Sequence, residues 1–286
     1  MELIRGAAAA RALTDEWRAG ERTVGFVPTL GALHEGHRSL LRRARADDDL
    51  VAASIFVNPL QFGEAEDFDR YPRDERRDLE ICREEGVDMV FAPPVEEVYP
   101  LGVTLPHPDP GDVGDLYEGA ARPGHFAGVL QVVHRLFDVI GPADAYFGEK
   151  DAQQLFVIRR MVEAEPQLGV RIVACPTVRE RDGLAMSSRN AYLSPPEREQ
   201  AVCLFLALTE AAERAKAGER DANVLVAVMA REIGATPLAR LDYAAVVDEE
   251  TFGPLGVLDR PARAIVAARF PSARLIDNLE LPVPGA

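Results

Sequence analysis

His34 and His37 stand three residues apart with Gly36 between them, in the stretch GFVPTLGALHEGHRSLL from Gly25 to Leu41. Each imidazole can offer an N–H to an anionic oxygen, and a charged ring also offsets anionic charge. Gly36 lets a ligand approach the backbone closely. The chemistry these types suit is the holding of a phosphate. Lys150 points the same way: the chain contains two lysines, and whereas Lys216 lies in the solvated helical pattern AAERAKAGER, Lys150 follows an apolar run in AYFGEKDAQQL. A zinc protease would need HExxH, and HEGH is one residue short, so no metal-ligating residues are assigned. A dinucleotide fingerprint GxGxxG and a P-loop GxxxxGK[ST] are both missing.

The histidines need a strand before them and a helix after them. Val24–Val27 reads as a buried strand, Pro28 to Gly31 breaks it, and a helical pattern follows over His37–Ala46. At such a junction the first helical N–H groups lack internal partners and the dipole is positive, which favours an anion. The rest of the chain supports this frame. Strands are predicted over Val51–Val57, Asp88–Phe91, Asp144–Gly148 and Val170–Cys175, and helices over Arg73–Glu85, Gly128–Ile140 and Asp151–Glu163. The alternation predicts an α/β fold: a Rossmann-like parallel sheet with helices on both faces.

Pro93 to Gly124 is rich in Pro and Gly and reads as an irregular flap over a site. Pro176–Asn190 reads as a polar loop. Helices over Pro196–Lys216 and Ala222–Ile233, with strands over Leu241–Val247 and Ala264–Phe270, predict a smaller α+β domain. The expected division is residues 1–177 and 178–286, the second domain carrying the loop with Met186-Ser187-Ser188-Arg189.

Composition narrows the partners. A net charge of −15 works against a nucleic-acid backbone or an anionic membrane, so a small anionic substrate needs a local basic pocket. Among apolar runs none approaches a membrane span, and the start MELIRGAAAARALTDEW reads as an amphipathic helix lacking signal-peptide order, which makes a cytoplasmic location the expectation. Cys82, Cys175 and Cys203 lack any CxxC spacing and read as small buried hydrophobes.

In open α/β sheets ligands sit beyond the carboxyl ends of the strands, and the unusual residues all fall there. They are Pro28, Thr29, His34 and His37 after the first predicted strand, and Asn58 and Gln61 after the second. Gly148, Glu149, Lys150, Asp151 and Gln154 follow the fourth, and Met186 to Arg189 the fifth. The segments PTLGALHEGH, FVNPLQFG, RPGHFAGV, YFGEKDAQQL and PTVRERDGLAMSSRN, in that order between Val24 and Leu193, resemble the pantoate–β-alanine ligase family. More broadly, HxGH with a late MSSR loop is similar to the nucleotidyl-transferase superfamily of class I aminoacyl-tRNA synthetases.

The resemblance implies adenylation of the pantoate carboxylate by ATP, then attack by the β-alanine amine. It implies that Leu30, Gly31, Ala32, Leu33, His34, Glu35, Gly36 and His37 bind ATP, with Gly148, Glu149, Lys150, Asp151, Val178, Met186, Ser187, Ser188 and Arg189. His34, His37 and Lys150 would act on the triphosphate, His37 as proton donor, while Val178 and Met186 would meet adenine through their backbone. Gly148 would admit the ribose and Asp151 accept from its hydroxyls; Gln61, Gln154 and Asn58 would hold pantoate and β-alanine. Mg²⁺ would arrive on the ATP phosphates, and a homodimer is implied. Leu30 departs from the family's usual Met, a swap that commonly costs under about 1.5 kcal/mol. Another adenylate-forming ligase or nucleotidyl transferase on the same scaffold, or a silent nucleotide-binding regulator, would share the HxGH and MSSR elements.

Overall fold

The computed structural model describes residues 1–63 and 68–283. Contacts divide the chain into two units, Met1–Glu149 with Gln153–Pro176, and Lys150–Ala152 with Thr177–Ala286.

In the first unit the strands are β1 (Glu2–Ile4), β2 (Val24–Thr29), β3 (Leu50–Ile55), β4 (Met89–Phe91), β5 (Ala143–Gly148) and β6 (Val170–Cys175). They form one parallel sheet in the order β1-β4-β3-β2-β5-β6. Five of the six follow the apolar runs. The exception is β1, where the sequence pattern predicts helix; Glu2–Ile4 instead pairs with Met89–Phe91 at the sheet edge, and α1 begins at Ala7 (Ala7–Ala19). Three residues are too few to show a period.

Helices cover both faces, as predicted. Leu40, Leu41 and Ala44 of α2 (Glu35–Asp47) and Leu79, Ile81 and Cys82 of α3 (Glu75–Glu84) build one apolar layer. The expected flap contains α4 (Val95–Val98) and α5 (Glu118–Ala121), and α6 (His125–Ile140) and α7 (Ala152–Ala164) follow. The other layer joins Ala10 of α1 to Leu130 and Phe137 of α6 and Leu155 and Ile158 of α7.

The sheet order reverses between β2 and β5, because β2 leads to β3 on one side and β5 to β6 on the other. Pro28 lies in β2, a central strand, where proline normally removes a ladder bond. It does not do so here. Thr23 and Thr29 accept from β3 and the residue after it through their carbonyls, so odd-numbered residues face β3 and Pro28 faces β5. The β2–β5 register ends at Phe26 with Ala145. Beyond it the two strands are unladdered toward the carboxyl edge, the place where such sheets take ligands.

The second unit has an antiparallel sheet of β7 (Arg240–Asp248), β8 (Ala262–Arg269) and β9 (Arg274–Leu281). β9 is additional to the two expected strands. The long helix expected over Pro196–Lys216 is two, α8 (Pro195–Gln200) and α9 (Cys203–Lys216), and α10 spans Ala222–Gly234. Ala207, Leu208 and Ala211 of α9 and Leu225 and Met229 of α10 pack with Ala264 and Val266 of β8 in a separate core.

Candidate active site

The loop after β2 is held from below by an acid. Gly31 takes φ +82° and Ala32 φ +52°, conformations that turn their N–H groups out of the strand. Asp78 of α3 accepts from Ala32 N–H at 2.9 Å and Leu33 N–H at 2.8 Å. Its side chain is buried, and burial pushes its carboxyl above the ordinary value while those two N–H bonds pull it back. Thr29 Oγ1 donates to the Ser54 carbonyl at 2.7 Å and accepts from Gly31 N–H at 3.1 Å. An acid in a charged helical pattern gives no sign of reaching a loop so distant along the chain, and sequence reasoning missed Asp78.

His34 is the N-cap of α2. Its Nδ1 accepts from Gly36 N–H at 3.1 Å, and His37 Nδ1 accepts from His34 N–H at 3.3 Å, a capping box built from two imidazoles. The rings lie 4.2 Å apart, centroid to centroid. Because each Nδ1 is the acceptor, the neutral rings carry their protons on Nε2. The cap therefore selects, in both histidines, the tautomer that presents Nε2–H as a donor. Glu35 faces outward and pairs with Arg42.

After β3, Asn58 and the short 3₁₀ turn Pro59–Gln61 lie against α6. The resemblance implies that Asn58 touches substrate, and within the protein its amide has partners of its own. Fully buried, it donates through Nδ2 to the Gly128 carbonyl at 3.0 Å and to Gln61 Oε1 at 3.3 Å, while Oδ1 accepts from Leu60 N–H and the Tyr99 hydroxyl. Two donors and two acceptor positions are all that an amide has. Gln61, 8% exposed, is thereby oriented with its oxygen toward Asn58 and its NH₂ group away from it.

After β5, Gly148 has no protein atom within 4 Å of where a Cβ would stand, so protein packing does not demand a glycine there. On α7 the adjacent glutamines divide. Gln153 is buried and anchors the preceding segment by donating to the Val113 and Leu116 carbonyls at 2.8 and 2.9 Å and accepting from Glu118 N–H. Gln154 is half-buried. Sequence reasoning missed the anchor because neighbouring identical side chains cannot be told apart by type. The flap expected over Pro93–Gly124 is consequently fixed at residues 113–118.

In the second unit the expected loop contains a hairpin. Met186 N–H donates to the Val178 carbonyl at 3.0 Å, Arg179 bridges to Ala185, and Glu180 N–H donates to the Leu184 carbonyl. Ser187 caps the 3₁₀ turn Ser188–Tyr192 by accepting from Arg189 N–H. Arg179 fixes the hairpin to β9: both its terminal nitrogens contact the Asp277 carboxylate, at 2.6 and 3.0 Å, and its guanidinium lies over the Phe205 ring. Burial pushes the Asp277 carboxyl up and Arg179 pulls it down. Next along β9, Asn278 Nδ2 donates to the Lys150 carbonyl at 2.9 Å, and Lys150 Nζ is 3.5 Å from Asp151 Oδ1.

A parallel sheet whose order reverses between β2 and β5, with a histidine-capped helix following β2, is a Rossmann-like α/β architecture, a class whose sheets take ligands at the strand carboxyl ends. Within that class the assignment is specific. The family model for Pantoate-beta-alanine ligase matches residues 2–280. The chain is 54% identical to the pantothenate synthetase of Rubrobacter xylanophilus over 98% of both chains. The crystal structure of pantothenate synthetase from Thermus thermophilus superposes with a TM-score of 0.92 at 49% identity, covering 99% of this chain and 100% of that one. Pantoate-beta-alanine ligase from Francisella tularensis, whose structure is described as complexed with beta-gamma ATP and beta-alanine, gives 0.80 at 31% identity over 98% and 97%. The chain belongs to the pantoate–β-alanine ligase family. It is an enzyme, and its activity is the joining of pantoate to β-alanine.

Proposed function

We propose that the ligation runs in two steps. The pantoate carboxylate attacks the α-phosphate of ATP and pyrophosphate leaves; the β-alanine amine then attacks the acyl carbon of the pantoyl adenylate and AMP leaves. The observation that carries this reading is the histidine capping box, which commits Nδ1 of both His34 and His37 to the backbone and so makes Nε2–H the donor of both rings at the start of a thirteen-residue helix. Such donors suit charge that develops on a transferring phosphoryl group. His37 is proposed as proton donor, and Lys150 as a cation for the leaving pyrophosphate.

The remaining roles follow the same chemistry. Ser187 and Ser188 offer hydroxyls and Arg189 a charged fork to phosphate oxygens. The hairpin uses Met186 N–H and the Val178 carbonyl on each other, which leaves Val178 N–H and the Met186 carbonyl as the donor and acceptor an adenine edge requires. Gly148 is proposed to admit the ribose and Asp151 to accept from its hydroxyls; Gln61 and Gln154 are proposed to bind pantoate. Neutral amides suit a carboxylate that must stay nucleophilic.

Mg²⁺ is proposed to enter on the ATP phosphates, since no group of three or more metal-capable side chains gathers among the described residues. The phosphates' own charge makes that sufficient. A cytoplasmic homodimer is the assembly we propose, supported by the resemblance; among the described residues no helix is long and apolar enough to cross a membrane.

The test is Lys150→Ala. Removing one charge from the developing pyrophosphate should lower the adenylation rate by about 10²–10³-fold, while circular dichroism stays unchanged because the ammonium fills no core. An unchanged rate would remove Lys150 from the chemistry.

A further inference from the structure

Gln61 is held at two points that the reaction itself does not explain. Its side chain is oriented by Asn58, and its backbone carbonyl accepts from His125 Nδ1 at 2.8 Å and from Arg122 at 3.3 Å. Arg122 also approaches His125 Nε2 at 2.9 Å. A guanidinium can only donate, so Nε2 must be the acceptor and the ring proton must lie on Nδ1, where the Gln61 carbonyl receives it. The three groups admit one hydrogen-bond arrangement. Glu118, buried and 3.4 Å from Arg122, balances the guanidinium.

The helix that carries His125 is brought close by a glycine. A Cβ on Gly128 would stand 2.2 Å from the Leu60 carbonyl oxygen, so a larger residue there would force α6 away from the 59–61 turn. The Gly128 carbonyl in turn accepts from Asn58, whose other donor hydrogen goes to Gln61. Both ends of Gln61 are thus referred to the first turn of α6.

We propose that His125, with its tautomer set by Arg122, is a positioning residue for pantoate. It acts through Gln61, fixing the peptide from which the substrate-facing amide projects. This rests on the reading of Gln61 as a pantoate ligand. The Gln61 NH₂ group makes no hydrogen bond among the described residues, and the residue as a whole is 8% exposed, so a small rotation of its peptide displaces the one group a substrate oxygen can meet.

The experiment compares His125→Asn, His125→Gln, His125→Phe, Gln61→Ala and the His125→Phe/Gln61→Ala double variant in the full-length enzyme, with KM for pantoate and for ATP measured separately. Asn places an N–H where Nδ1 stands; Gln places its amide at the Nε2 end. His125→Phe and His125→Gln should raise the pantoate KM by about tenfold, the effect of one misplaced hydrogen bond, and leave the ATP KM within about twofold. His125→Asn should return the pantoate KM to within about threefold of wild type. In the double variant the His125 change should add less than about twofold to Gln61→Ala, because residues acting through one contact are not additive.

Full additivity, or equal movement of both KM values, would overturn the positioning role while Gln61→Ala still reports pantoate binding. If Gln61→Ala itself leaves the pantoate KM unchanged, the underlying reading of Gln61 fails instead. Should His125→Phe not fold, the contrast between Asn and Gln carries the test alone, and equal values for the two would overturn the proposal.

Discussion

Asp78 shows how a residue without chemistry decides where chemistry happens. Its two oxygens each receive a backbone N–H of the loop between β2 and the histidine cap, so one carboxylate sets the path of Ala32 and Leu33 toward the helix start. Asp78→Asn turns one acceptor into a donor facing a donor. It should lower stability by about 1–3 kcal/mol, read by denaturant titration, and raise the KM for ATP more than that for pantoate. Equal KM effects would mean that the loop serves both substrates. The histidines, Lys150 and the serines were legible in the sequence because their types are rare and their spacing is unusual. Asp78 and Gln153 were not: their roles lie in partners distant along the chain, and an amide that binds substrate looks the same in sequence as one that binds a carbonyl.

Among elements, the strands with continuous apolar runs were legible and those without were not. β9 reads RLIDNLEL, and the buried Asp277 and Asn278 break the apolar alternation that would have revealed it. Asp277 is tolerated inside because Arg179 meets it with two nitrogens. The break between α8 and α9 was likewise hidden, since Ala201 and Val202 are unremarkable in a helix. The start of α8 is not. Ser194 and Glu197 form a capping box, and Glu197, 4% exposed, also accepts from Ser272 N–H at 2.7 Å and from its hydroxyl. Hydrogen bonds from the Ser194 and Ser272 hydroxyls pull the Glu197 carboxyl down to about 2.

A carboxyl whose folded pKa lies below its unfolded value of about 4.3 contributes stability that is present above that value and lost as pH falls toward the folded one. The stability difference between wild type and Glu197→Gln should therefore be constant above about pH 5 and shrink between there and about pH 2. Denaturation curves at a series of pH values check it. A difference that does not change with pH would mean that the hydrogen bonds do not depend on the charge.

Taken whole, the molecule carries a net charge of −15 while ATP and pantoate are anions, so the fold must supply local positive potential against its own field. The α2 start, the histidine pair, Lys150 and Arg189 are the groups we propose for that purpose. They favour phosphate over amine, which orders the reaction: a carboxylate needs a leaving group before an amine can displace anything from it. The most direct measurement is exchange of labelled pyrophosphate into ATP in the presence of Mg²⁺. With pantoate present and β-alanine absent exchange should be rapid, and with β-alanine present and pantoate absent it should vanish. Exchange that requires both pantoate and β-alanine would place the amine in the first step and contradict the pantoyl-adenylate route.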